Sequence, residues 1–393
     1  MIVREHYLKK IRPFYESDLV KVITGIRRCG KSVILEQIME EIRTKTDNII
    51  YLNFEKTSDY LKVNDALGLI KYVEDNRKEG KCYLFLDEIQ EVTNWEKAIR
   101  DLRLDNNSIF ITGSNSKLLS SEILTNLSGR FVDFRIRPFV YLEIKEYLNK
   151  IDRDISISDY LIWGGFPGRL VFSSLDTQKE YLEDLMNTIV YNDLIKRYKI
   201  RKEVIFKKIV NFILKSNSRI VSARNIHAYL KREVDNISLN TVLKYIEYLK
   251  EAYIIDVIPQ YSLKAKRELS YHYKIYDSDV SFNSLSVINN RFDLEHNLEN
   301  IVYNELIYRG YKLMVYNDSG KEIDFYALKD GKEYYIQVSY SVVNEKTYNR
   351  EFAPFKKIDN NVRKILITND DINYSTSVIE HISLKDFLNS KDF

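Results

Sequence analysis

The run Gly25-Ile26-Arg27-Arg28-Cys29-Gly30-Lys31-Ser32 carries the strongest chemical signal in the chain. Its glycines let a backbone curl until its N–H groups converge. Lys31 adds a long-armed positive charge, and the Ser32 hydroxyl is an oxygen ligand for a hard cation. That set suits a nucleotide polyphosphate with Mg2+, so Gly25 to Ser32, with Val33 following, is the expected nucleotide-binding segment. Arg27 and Arg28 either touch phosphate or point toward an adjoining domain. A second group, Asp87-Glu88, closes the apolar run Tyr83-Leu84-Phe85-Leu86. Asp87 is expected to hold Mg2+ through its water shell, with Ser32, and Glu88 to polarise the attacking water of an in-line displacement. A glutamate after the aspartate favours hydrolysis over binding alone. Further on, Ser114 and Asn115 follow Ile111-Thr112-Gly113 and either contact the terminal phosphate or cap a helix. Arg130, after Gly129, either stabilises transition-state charge in cis or in trans, or forms a structural ion pair.

These groups need a scaffold that ends strands at one edge. Residues 19–24, Asn48–Phe54, Cys82–Leu86 and Ser108–Thr112 read as strands; 31–44, 66–78 and 95–104 read as helices. The alternation predicts an α/β fold with a parallel sheet between helices, and strands lacking polar alternation predict burial on both faces. From about 140 to 215 helical periodicity dominates, broken at Gly164-Gly165-Phe166-Pro167-Gly168, a tight turn. Residues 203–260 give three helical stretches, with Ser222 and Ser238 as N-caps, and then a β-like stretch from Ala252 to Tyr261. A mixed α/β pattern follows: a helix at 298–309, strands near 311–316, 322–328 and 334–340, a helix near 347–357 and a strand at 363–368.

The order GIRRCGKS, LFLDEIQ, ITGSNSKLL, LSGR and GGFP resembles bacterial and archaeal AAA-type ATPases over nearly the whole chain. The resemblance implies ATP as ligand, a P-loop ATPase core at 1–140, a helical lid or linker at 141–202, a winged helix-turn-helix at 203–275, and a restriction-endonuclease-like α/β domain at 276–393. In the winged-helix reading Ser238–Tyr253 is the recognition helix, with Asn240, Lys244 and Lys250 near its outer face and Lys264, Lys266 and Arg267 in the wing. In the last domain Glu299 on a helix, Asp324 in Glu322-Ile323-Asp324-Phe325, and Gln337 in Ile336-Gln337-Val338-Ser339 resemble a PD-(D/E)xK nuclease site. Gln337 replaces a carboxylate and Ser339 the lysine, departures that weaken metal binding and water activation together, so a degenerate site is expected, with an ATP-regulated nuclease as the alternative.

Composition narrows the partners. The 393 residues carry a formal charge of +3 and are 45% hydrophobic, with 12 Gly and 5 Pro, which excludes a disordered scaffold. Residues 196–275 hold 18 Lys+Arg against 7 Asp+Glu, a basic segment suited either to DNA or to an acidic protein surface. A DNA-binding ATPase and an ATP-dependent docking or signalling switch are the two functions this leaves. Arg130 acting in trans would require a homo-oligomer. With only Cys29 and Cys82, and no long apolar run, the chain is expected to be cytoplasmic, with no membrane partner and no structural zinc.

Overall fold

A computed structural model describes residues 2–114, 129–231, 237–261, 272–287, 289–318, 321–358 and 361–391. The chain divides into two compact units: Met1–Pro138 with Glu251–Tyr253, and Phe139–Lys250 with Ile254–Phe393.

In the first unit strands β1 (Val20–Thr24), β2 (Ile49–Asn53), β3 (Cys82–Asp87), β4 (Asn107–Gly113) and β5 (Phe131–Arg135) form a five-stranded sheet in the order β2-β3-β4-β1-β5. Every pairing is parallel. The three inner strands are buried along their whole length, Lys21 of β1 included, whereas β2 alternates and the outer β5 is half-buried with Asp133 exposed at its centre. Helices Lys31–Arg43, Ala66–Asn76 and Trp95–Leu104 intervene as expected. Leu69 and Val73 from one helix and Trp95, Ile99 and Leu102 from another pack on Leu84, Leu86, Ile109 and Ile111 of the sheet. Because β4 lies between β1 and β3, the loop after β1 and the acidic end of β3 open on either side of the end of β4. That crevice beyond the carboxyl ends of the strands is where open parallel sheets bind ligands.

The second unit begins with helices Tyr141–Asn149 and Ile157–Trp163, then the Gly164–Gly168 turn, and helix Leu175–Met186, which runs through a π-helical stretch, Asn187–Asp193, into helix Leu194–Tyr198. The turn is held from two sides. The Asp279 carboxylate accepts the Gly165 N–H at 2.7 Å, and the buried Arg169 guanidinium donates twice to the Gly164 carbonyl, at 3.1 and 2.6 Å. A Cβ on Gly165 would stand 1.9 Å from the Phe139 carbonyl oxygen. Gly165→Ala is therefore expected to destabilise the fold by about 2 kcal/mol or more through overpacking against rigid backbone. Thermal denaturation checks this; an unchanged Tm would remove the turn from the structural framework.

Helix Glu203–Lys215, strand β6 (Ile220–Ser222), helices Ala223–Leu230 and Leu239–Glu251, and strands β7 (Ile255–Ile258) and β9 (His272–Asp277) follow, with the short β8 (Gln260–Tyr261) between the last two. Strands β6, β9 and β7 pair antiparallel in that order. Ser222 and Ser238 cap their helices by accepting the N–H groups of Asn225 and Thr241. Strands β10 (Lys312–Asp318), β11 (Lys321–Lys329), β12 (Lys332–Ser339), β13 (Arg363–Thr368) and β14 (Glu380–Ser383) build a mixed sheet, at whose edge β8 adds in parallel to β10. Helix Leu294–Tyr308 is buried around most of its circumference from Asn297 to Leu306, with the polar Asn297, Glu299, Asn300 and Glu305 among its buried residues. Among the described residues no helix is long and apolar enough to cross a membrane.

Candidate functional site

The loop after β1 is shaped by its glycines and closes on a helix. Gly25 has φ +140°, and a Cβ there would stand 2.2 Å from the Ile136 carbonyl oxygen, so the position accepts only glycine. Arg28 and Gly30 also have positive φ, and Gly30 precedes helix Lys31–Arg43 with no side-chain cap. The first amides of that helix thus remain available to an anion, in the field of the helix N-terminus. Within the loop Ile26 and Cys29 are buried, Arg28 is exposed, and Arg27 pairs with Glu55 at 2.9 Å. The Cys29 thiol donates to the Ile136 carbonyl, and burial pushes it up from the ordinary thiol range, which makes it a packing group rather than a nucleophile. From the N-terminal segment, buried Arg4 donates to the Cys29 carbonyl at 3.1 Å and so braces the loop from behind.

The reactive groups converge across β1, β4 and β3. Lys31 is buried, with its ammonium 3.6 Å from Glu88 Oε1. The Asp87 carboxylate accepts the Thr112 hydroxyl on one oxygen and Asn53 Nδ2, at 3.3 Å, on the other. Burial raises its pKa, opposed by hydrogen bonds from Thr112 and Ser32. The Ser32 hydroxyl thus lowers the cost of charge on Asp87, and a buried carboxylate that resists ionisation is stabilised by a neighbouring cation. An oxygen-only pair of this kind fits a hard divalent ion such as Mg2+.

Glu88 adopts a left-handed backbone, φ 54°, uncommon for a residue other than glycine, asparagine or aspartate. Its N–H donates to Thr112 Oγ1 at 2.9 Å, and its Oε2 accepts from the Ser114 N–H at 3.3 Å and from Gln90 Nε2. Thr112 thus bridges Asp87 and Glu88, donating to one and accepting from the other. Ser114 reaches Glu88 through its backbone amide; Asn115 lies outside the described residues. Thr112, Gln90 and Asn53 were missed by sequence reasoning. Thr112 alone left a signal there, as a polar residue ending an otherwise apolar inner strand.

Arg130 requires a correction. Its carbonyl accepts the Val20 N–H at 3.1 Å, which places it beside the first residue of β1, whereas Gly25 and Asp87 stand at the far ends of their strands. Five residues at a rise of about 3.3 Å separate it from the crevice by roughly 16 Å of strand, so it does not join Lys31 and Glu88 within this chain. The arginine at the correct end of β5 is Arg135, paired in register with Thr24 and stacked 4.7 Å over the Tyr253 ring.

In the second unit Glu299 and Asp324 do meet: both are buried, and both carboxylates touch one lysine, Lys274. Gln337 stands beside Asp324, accepting its N–H at 3.2 Å and donating to Glu351 at 2.7 Å. Ser339 donates to Glu295. On the Leu239–Glu251 helix Asn240 and Lys244 are exposed, while Lys250 is neutralised by Glu247 at 2.8 Å. Lys264, Lys266 and Arg267 lie outside the described residues.

Residues 17–145 match the family model of an AAA domain, and residues 155–290 and 295–387 match two models described as Domain of unknown function (DUF8612) and Domain of unknown function (DUF4143). An uncharacterized protein of Haemophilus influenzae is 34% identical over 381 residues, covering 94% of this chain and 93% of its own. Uncharacterized protein MJ1544 of Methanocaldococcus jannaschii is 33% identical over 374 residues, covering 90% and 82%. Among solved structures the Walker-type ATPase PABY2304 of Pyrococcus abyssi superposes with a TM-score of 0.53 at 16% identity, covering 73% of this chain and 96% of that one, which shows a shared fold.

Proposed function

Because the chain belongs to the family of these Haemophilus influenzae and Methanocaldococcus jannaschii proteins and carries an AAA domain, we propose that it is an Mg2+-dependent ATPase coupled to a DNA-binding winged helix. The observation that carries the ATPase reading is the convergence of Lys31, Ser32, Asp87, Glu88 and Thr112 at one edge of the parallel sheet. Loop amides and the helix N-terminus hold the phosphates, and Lys31 neutralises the terminal ones. Glu88, aimed by its left-handed backbone and by Thr112, Gln90 and the Ser114 amide, orients and deprotonates the attacking water. When bound, Mg2+ held by Ser32 and Asp87 supplies charge neutralisation on the phosphate oxygens.

The winged-helix part rests on two observations. Over residues 203–277 the order helix, strand, helix, helix, strand, strand, strand, with β6-β9-β7 as one sheet and β8 leaving it for β10, supports that motif, and the same segment is basic. Phosphate contacts would come from exposed Lys244 and from lysines and arginines of the wing, and the binding would be independent of base sequence. The following sheet with Glu299 and Asp324 is read as a nuclease-like fold that no longer cleaves.

A labelled DNA duplex titrated with the full chain tests the coupling to DNA. With about six phosphate contacts, affinity should fall roughly 1000-fold between 50 and 200 mM salt, and Lys244→Glu should weaken binding at every salt concentration. No binding even at low salt would discard the DNA part and favour docking to an acidic protein surface.

A further inference from the structure

Lys274 lies on β9, at the border of the basic segment, yet its ammonium is buried inside the C-terminal sheet with its side chain 3% exposed. Three carboxylate oxygens surround it, each at 2.8 Å: Glu299 Oε1 from the long helix, and Glu322 Oε1 and Asp324 Oδ1 from β11. The cluster is braced further out. Tyr276 donates its hydroxyl to Glu299 at 2.6 Å, and the Val338 N–H donates to the second Asp324 oxygen at 2.9 Å.

Two of these carboxylates are the ones whose spacing resembles a nuclease metal site, and the third, Glu322, lies two residues before Asp324. Oxygens converging on one point from two elements are what a hard divalent ion requires, at distances of about 2.0–2.6 Å, slightly inside those to the ammonium. A lysine can supply the single positive charge but leaves no coordination position for substrate or water. Among the described residues no group of three or more His, Cys, Asp or Glu stands ready to hold a metal ion. Burial opposes the charge on Lys274, but Asp324, Glu299 and Glu322 together hold its pKa well above the usual lysine range, so the ammonium stays charged. Removing one partner of such a cluster leaves buried charge uncompensated.

We propose that Lys274 is the built-in cation of this carboxylate cluster, standing where a divalent ion would bind and pinning β9 to the C-terminal sheet, so that the site is closed to metal by the chain itself. The pairing of β8 with β10 fastens the same segment to the same sheet a few residues earlier, with the Val315 N–H donating to the Pro259 carbonyl at 3.0 Å. The inference goes beyond the ATPase reading and does not depend on it, since neither nucleotide nor DNA enters the test.

Tb3+ added to the full chain provides that test, because its luminescence is sensitised by a nearby tyrosine and Tyr276 touches the cluster. Lys274→Ala should gain a signal roughly tenfold above wild type, the gain in site charge raising affinity for a hard cation, and Lys274→Ala/Asp324→Asn should lose it. Mn2+ should raise the Tm of Lys274→Ala by more than that of wild type, whose own response would come from the Ser32 and Asp87 site. A folded Lys274→Ala chain without the new signal would overturn the proposal. Should the variant fail to fold, wild type compared with Asp324→Asn decides: a wild-type Tb3+ signal that depends on Asp324 means that the site takes metal beside Lys274 and overturns it, and a signal equal in the two upholds it.

Discussion

Lys31→Ala should bind ATP weakly and lower turnover by about 100-fold or more, the scale of losing one preorganised charge or donor at a reacting group. The side chain is buried beside Glu88 and is the single lysine of the segment 25–32, and the neighbouring Arg27 is engaged with Glu55. Phosphate release and binding of a fluorescent ATP analogue, measured together, separate the two losses. Wild-type turnover in a folded Lys31→Ala chain would remove the loop from the reaction.

Glu88→Gln should behave differently. The amide keeps the size of the side chain and much of its hydrogen bonding but cannot accept a proton. ATP binding is therefore expected to change little while hydrolysis falls by about 100- to 10,000-fold, the range for removing a positioned general base. A single-turnover experiment with bound ATP distinguishes this from a binding defect. Turnover near wild type would transfer the role of Glu88 to another group, and equal loss of binding would make it a structural partner of Lys31.

Much of the ATP-site half could be read in advance because its determinants are local. Runs rich in Val, Ile, Leu and Phe without polar alternation predict buried parallel strands, and the residues at 25–32 and 87–88 follow such runs directly, so the sheet, its helices and the placement of Lys31 and Asp87 follow from short stretches of chain. Strand β5 was missed because Phe131–Arg135 is a half-buried edge with a charged residue at its centre, Asp133, and has little periodic signal. The reading of Arg130 as acting in cis failed for a related reason. Adjacency to glycine says nothing about which end of the sheet a residue reaches, and only the register of β5 against β1 shows that it is the wrong end.

The second unit was less legible. Glu299 and Asp324 could be paired from their order on a helix and a strand, but their partner Lys274 stands 50 residues before Asp324 and is brought in by the packing of β9. No local pattern announces a contact between elements so far apart in the chain. Gln337, expected to face the same site, satisfies Glu351 and the Asp324 backbone, because a buried amide must pair both its donor and its acceptor.

Steady-state ATP hydrolysis by the full-length protein, with Mg2+ and with or without duplex DNA across a salt series, tests the central claim most directly. The account predicts turnover that requires Lys31, rises with DNA at low salt and loses that stimulation as salt increases. Absence of Lys31-dependent phosphate release under every condition would contradict it.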